Sequence, residues 1–188
     1  MADTDDGHAR VLLIGMMGAG KSLAGQLVAS RLGWPLLDTD EAVERRRGST
    51  VAQLFTDEGE PAFRAWEAQV LAEALTQDGP LVVAVAGGAV LSADNRRLIR
   101  DSGLVVWLRA ELATLATRVV TSDHRPLLAG DTVQRLADLY AARRSHYQEL
   151  ADAVIDVDAL GPDEVADRVI AAWHAARGRS PVGGGRGA

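Results

Sequence analysis

The chain has 188 residues, 47% apolar and 24% charged, with a net charge of −6 and no cysteine. That length suffices for one domain with a full core, in an ordinary α/β composition. The missing cysteines exclude a disulfide framework and thiolate metal sites, the acidic balance argues against a nucleic-acid surface, and no apolar run is long enough to span a bilayer.

Residues 1–9 are mostly acidic and polar. They are expected to form a flexible tail rather than a secretory signal, which makes cytoplasmic residence the expectation. "VLLI" (11–14) is a continuous apolar run, as in a strand buried on both faces. "GMMGAGKS" (15–22) follows and fits G-x-x-x-x-G-K-[ST] without a mismatch. A strand precedes it, and a helix over 21–32 follows, ending at Gly33. Gly15, Gly18 and Gly20 let backbone N–H groups turn round a phosphate. Lys21 should reach the outer phosphates and Ser22 should offer its hydroxyl to Mg²⁺. Of 20 basic residues 19 are arginine, and Lys21 is the single lysine. A compact ammonium has a mechanical role at that position which a planar guanidinium does not fill.

"PLLD" (35–38) is a short second strand, followed by Asp38 and Asp40. On an extended chain residues two apart project to one side. Paired carboxylates beside a phosphate suit two jobs: holding Mg²⁺ through water, and orienting a hydroxyl while taking its proton. Helix capping would explain one of the two acids. Helices are predicted over 40–47, 50–58 and 60–75, with Ser49 or Thr50 as a cap. Phe63, Trp66, Val70 and Ala74 form an apolar stripe. Arg64 and Glu67 lie three apart on this last helix. They fit either a surface ion pair or a carboxylate clamp steadied by Glu67.

"LVVAVA" (81–86) is a third strand, ending in "AGGA" without a terminal acid. The missing acid weakens GTPase and motor-ATPase readings. A helix over 93–103, a strand over 104–108 and a helix over 111–118 follow. Residues 119–131 have no clean period and carry Arg125, which suits a cationic lid over phosphates. A helix over 132–149 presents Leu136, Tyr140, Arg144 and Tyr147, so Arg144 is expected to point into a cleft. A fifth strand (153–157), a helix over 162–176 and a flexible tail at 178–188 complete the chain. Five strands alternating with helices predict a three-layer sandwich around a five-stranded parallel sheet, with ligands at the carboxyl ends of the strands.

Taken in order, "GMMGAGKS", "LLDTD", "GEPAFRAWE", "AGGAV", "RPLLAG" and "RRSHY" make the chain resemble the shikimate kinases, P-loop NTPases of the nucleoside-monophosphate-kinase-like fold. The resemblance spans about 11–173. It implies one kinase domain over 10–177, with an acceptor-binding helical part at about 40–75 and a lid at about 119–131. The implied reaction is ATP-dependent phosphorylation of the shikimate 3-hydroxyl, on the way to chorismate and the aromatic amino acids, with one Mg²⁺ per subunit. By similarity Gly15, Gly18, Ala19, Gly20, Lys21, Ser22, Leu23, Arg118, Arg125 and Pro162 bind ATP. Asp40, Arg64, Gly87, Gly88 and Arg144 bind shikimate. Asp40, Lys21 and Arg125 are the implied catalytic groups, while Ser22 and Asp38 serve the metal. Leu23 departs from the usual Thr and Ala86 from the usual first Gly. A monomer is expected, with ATP and shikimate as partners and neither nucleic acid nor membrane. Two other readings remain at this point: another small-molecule kinase, such as one acting on gluconate, and a non-catalytic nucleotide-binding module.

Overall fold

A computed structural model describes residues 9–120 and 132–178. The strands are β1 (Arg10–Ile14), β2 (Leu36–Asp38), β3 (Leu81–Ala84), β4 (Leu104–Arg109) and β5 (Ala153–Asp156). The helices are α1 (Lys21–Leu32), α2 (Thr39–Arg47), α3 (Val51–Asp57), α4 (Gly59–Thr76), α5 (Ala93–Ser102), α6 (Leu112–Val120), α7 (Thr132–Leu150) and α8 (Pro162–Arg177). A 3-10 turn at Ala89–Leu91 precedes α5.

All strand pairs are parallel, in the order β2-β3-β1-β4-β5. Every residue of β1 is buried, as a central strand covered on both faces requires. Helices α1 and α8 pack together, as do α5 and α7, and each pair reaches the sheet. The layered architecture expected from the alternation of elements is the one found. The chain leaves β1 for β2 and β3 on one side, then crosses to β4 and β5 on the other. The strand order therefore switches at β1, where a crevice opens at the carboxyl ends of the strands.

Local chemistry sets the element ends. Thr50 caps α3 through a capping box with Gln53, the second of the two caps expected. Pro35 stays outside β2, and its carbonyl accepts from Val82 N at 3.0 Å. Strand β3 stops at Ala84, two residues before the predicted end. The Ala86 N–H donates instead to Thr39 Oγ1 at 2.8 Å. Thr39 is buried and thus braces the turn after β3 against the start of α2.

The main core surrounds the sheet. A second small cluster, Val43, Leu54, Phe63 and Val70, holds α2, α3 and α4 together beside the sheet, with Phe55 and Trp66 against it. Among the described residues no helix is long and apolar enough to cross a membrane.

Candidate active site

Strand β1 ends at Ile14, and the chain turns at once through Gly15, at φ +141°. A side chain there would put its Cβ 2.5 Å from the Leu108 carbonyl oxygen, so β4 leaves room for glycine only. The loop closes with Ala19 N donating to Met16 O at 3.2 Å. Gly20, at φ +88°, begins α1 without a side-chain cap, and no acid lies in the first turn. The N–H groups and the positive pole of α1 are thus left for an anion. Lys21 Nζ lies over the loop, donating to the carbonyls of Gly15 at 2.9 Å and Met16 at 3.1 Å.

Asp38 does two jobs at once. Its Oδ1 caps α2, accepting from Asp40 N at 3.1 Å and Glu41 N at 3.4 Å. Its Oδ2 accepts from the Ser22 hydroxyl at 2.6 Å. The capping and metal-side readings of this acid therefore coincide. The expected extended spacing of Asp38 and Asp40 is corrected: β2 ends at Asp38 and Asp40 already lies in the first helical turn. Both still line one cleft, because the helix starts at the strand's carboxyl end.

That cleft has a volume of about 570 Å³. Lys21, Ser22 and Asp38 line its phosphate-loop side; Asp40, Arg64, Glu67, Gly88 and Arg143 line the other. Phe55 and Phe63 form an apolar wall, their ring centroids 4.8 Å apart.

Arg64 and Glu67 are not a surface ion pair. Glu67 is 1% exposed, and its Oε2 accepts from Arg64 Nη1 at 2.6 Å. Glu60 holds the other edge of the guanidinium, accepting from Nη2 at 2.9 Å and Nε at 3.2 Å. Gly88 lies against this guanidinium, and a Cβ at that position would overlap it. Burial pushes the Glu67 carboxyl up to about 7, while Arg64 and Arg143 oppose the rise and Asp40 adds to it.

Arg144 is corrected. Its side chain is exposed and does not line the cleft, whereas the neighbouring Arg143 is 1% exposed and does. At ~100° per residue, the buried Leu136 and Tyr147 centre the inner face of α7 about 30° from Arg143 and about 70° from Arg144. Helical phase, measured against the aromatic and leucine positions, was the signal that separates the two. The Nε of Arg143 and the Oε1 of Glu67 are buried without a hydrogen-bond partner. Such atoms are costly unless something polar meets them.

Tyr147 also went unassigned in the sequence. It is fully buried, and its hydroxyl donates to the Gly87 carbonyl at 2.7 Å. Burial pushes that hydroxyl's ionisation well above its ordinary range. A Cβ on Gly87 would lie 3.2 Å from Gly15 O, 3.3 Å from the Tyr147 hydroxyl and 3.6 Å from Arg143 Nη1. Gly87 therefore joins the phosphate loop to the arginine side of the cleft.

Arg118 stands beside the phosphate loop, donating from Nη1 to Gly18 O at 3.4 Å and from Nη2 to Val157 O at 3.3 Å. Pro162 is the first residue of α8, after the turn that follows Val157. Ala19 and Ala86 are buried, while Leu23 is 48% exposed at the cleft edge. Nothing in the structure explains leucine at position 23. Arg125 and most of the expected lid lie outside the described residues, as do residues 1–8 and 179–188.

Comparison with known proteins agrees with this geometry. The family model described as shikimate kinase matches residues 17–174. A shikimate kinase of Symbiobacterium thermophilum is 44% identical over 163 residues, covering 85% of this chain and 93% of its own. The solved structure of a shikimate kinase from Acinetobacter baumannii in complex with shikimate superposes with a TM-score of 0.86 at 33% identity, covering 90% of this chain and 94% of that one. A gluconokinase from Sinorhizobium meliloti, at 20% identity and a TM-score of 0.59, shares the fold alone. With one cleft holding the phosphate loop, the acids Asp38 and Asp40 and the arginines Arg64 and Arg143, and with matches over most of its length, this chain belongs to the shikimate kinase family.

Proposed function

We propose that the cleft transfers the terminal phosphoryl group of ATP to the 3-hydroxyl of shikimate, with the acceptor held between Asp40 on one side and Arg64 and Arg143 on the other. Family membership makes the chain an ATP-dependent phosphotransferase with an alcohol as acceptor. The observation that carries the residue assignment is the convergence of Arg64 and Arg143 on the cleft that also holds Lys21 and Asp40. A carboxylated acceptor would satisfy the buried Arg143 cation. A non-catalytic nucleotide module has no use for it.

In this mechanism Asp40 accepts the hydroxyl proton as the acceptor oxygen forms its bond to the γ-phosphorus. The bond to the β–γ bridging oxygen breaks, and ADP leaves with that oxygen. Lys21 and the N-terminal pole of α1 neutralise charge on the transferring group, since a loose transition state needs positioning more than covalent help. Gly87 and Gly88 give the acceptor close approach to the backbone. Arg118 and Pro162 flank the position assigned to adenine. Helices α2 to α4 form the acceptor-binding part.

The Ser22 hydroxyl and Asp38 carboxylate, already 2.6 Å apart, are hard oxygen donors that fit one Mg²⁺. Among the described residues no group of three or more His, Cys, Asp or Glu gathers as an all-protein cage, which also fits an ion that keeps waters and phosphate oxygens. When bound, Mg²⁺ supplies charge neutralisation at the phosphate oxygens. We also propose a cytoplasmic monomer, and the −6 charge speaks against a nucleic-acid partner.

A coupled ADP-release assay with and without shikimate tests the reaction. Shikimate-dependent ADP release is expected, absent with gluconate. Asp40→Asn should keep nucleotide binding and lose roughly 100-fold or more in turnover. Near-normal turnover in that variant would refute the role of Asp40, and release indifferent to shikimate would overturn the acceptor.

A further inference from the structure

We propose, resting on the reading of the cleft as a carboxylic-acid site, that acceptor binding is coupled to uptake of one proton by Glu67, which acts as a positioning residue through Arg64. Arg64 has five N–H donors. Three of them are already engaged, two by Glu60 and one by Glu67. A carboxylate arriving on the remaining donors is the third anion on one guanidinium.

The charge that leaves most cheaply is the least solvated one. The Glu60 side chain is 49% exposed and keeps its hydration. Glu67 is 1% exposed, and its Oε1 has no partner to share the charge. Protonation lets Oε2 go on accepting from Arg64 and turns the orphaned Oε1 into a donor.

The groups facing Glu67 support this assignment. Arg64 comes from its own helix, Asp40 from α2, and Arg143 and Tyr147 from α7. Tyr147 stays a neutral hydroxyl bonded to Gly87, so it takes up no proton. Asp40 is exposed. Burial already holds the Glu67 carboxyl at about 7, with Asp40 raising it and the two arginines lowering it. A further anion beside Arg64 shifts it upward. At about pH 8 the free enzyme is then largely ionised at Glu67 and the complex is protonated there. Because the protonated form is the better binder, affinity for the acceptor falls as pH rises above the free-enzyme value. The fall ends once pH exceeds the value in the complex.

Calorimetric titration of the full chain with shikimate at about pH 8, in Tris and in HEPES, reads the proton directly through the difference in buffer ionisation heat. Uptake of roughly half a proton or more per shikimate bound is expected, with wild-type affinity falling by up to about tenfold per pH unit above about pH 7. Glu67→Gln should bind shikimate with no buffer-dependent heat and with an affinity flat across that range. Wild-type binding with equal observed heats in both buffers overturns the coupling, and uptake that persists in Glu67→Gln overturns Glu67 as its site. Failure of wild-type enzyme to bind shikimate at all overturns the acceptor assignment instead, and the coupling with it.

Discussion

Replacing Arg143 and Arg144 by alanine, one at a time, distinguishes two adjacent cations that differ only in which way α7 turns them. Arg143 is 1% exposed, lines the cleft, and has a buried Nε awaiting a partner. Truncating one member of a buried, hydrogen-bonded charge pair costs about 2–5 kcal/mol, because the other charge is left desolvated. At ~1.4 kcal/mol per decade this is a loss of roughly 30- to several-thousand-fold in kcat/KM for shikimate. Arg144 is exposed, and a surface substitution of that kind stays within about 0.5 kcal/mol, or about twofold. Initial rates of ADP release against shikimate concentration measure both, with thermal melting to verify that each variant is folded. Nucleotide affinity should hold in each, since neither arginine lines the phosphate loop. Equal losses in the two variants, or a loss under about threefold in Arg143→Ala, would refute the assignment.

Two further substitutions probe the backbone around the clamp. Gly88→Ala places a methyl group where the Arg64 guanidinium lies. Arg64 must then withdraw, and kcat/KM for shikimate should fall about 10- to 100-fold while nucleotide affinity changes less than about twofold; an unchanged shikimate KM would show that the guanidinium is not held at Gly88. Tyr147→Phe leaves the Gly87 carbonyl without its donor at 2.7 Å. The expected cost is about 1–3 kcal/mol, read as a drop of several degrees in the melting temperature; an unaltered melting curve would mean that this bond contributes nothing to the folded state.

Much of the cleft was legible from the chain alone because its signals are local. The phosphate loop is one continuous segment whose glycines, lysine and serine act through backbone geometry at fixed spacing. Asp38 and Asp40 follow a short strand directly, and "AGGA" follows another. Each such motif sits just beyond a strand end, and parallel strands bring those ends to one edge. Two expectations failed for want of phase and turn geometry. Arg144 was placed inward on one face with Leu136, Tyr140 and Tyr147, although the buried Leu136 and Tyr147 centre that face nearer to Arg143. Asp40 was read as extended, although the helix begins at Thr39.

Residue chemistry and order alone determined a phosphate-binding loop pattern at the first strand–helix turn, followed by two closely spaced carboxylates, within a parallel α/β sheet. Only the tertiary structure decided that Glu67 is interior rather than at the surface. It also decided that Tyr147 ties the β3 turn to α7, and that Arg143 rather than Arg144 is the buried arginine lining the cleft. The physical reason is that exposure belongs to whatever packs against a residue. For Glu67 and Arg143 those neighbours come from α2, α4 and α7, segments far apart along the chain.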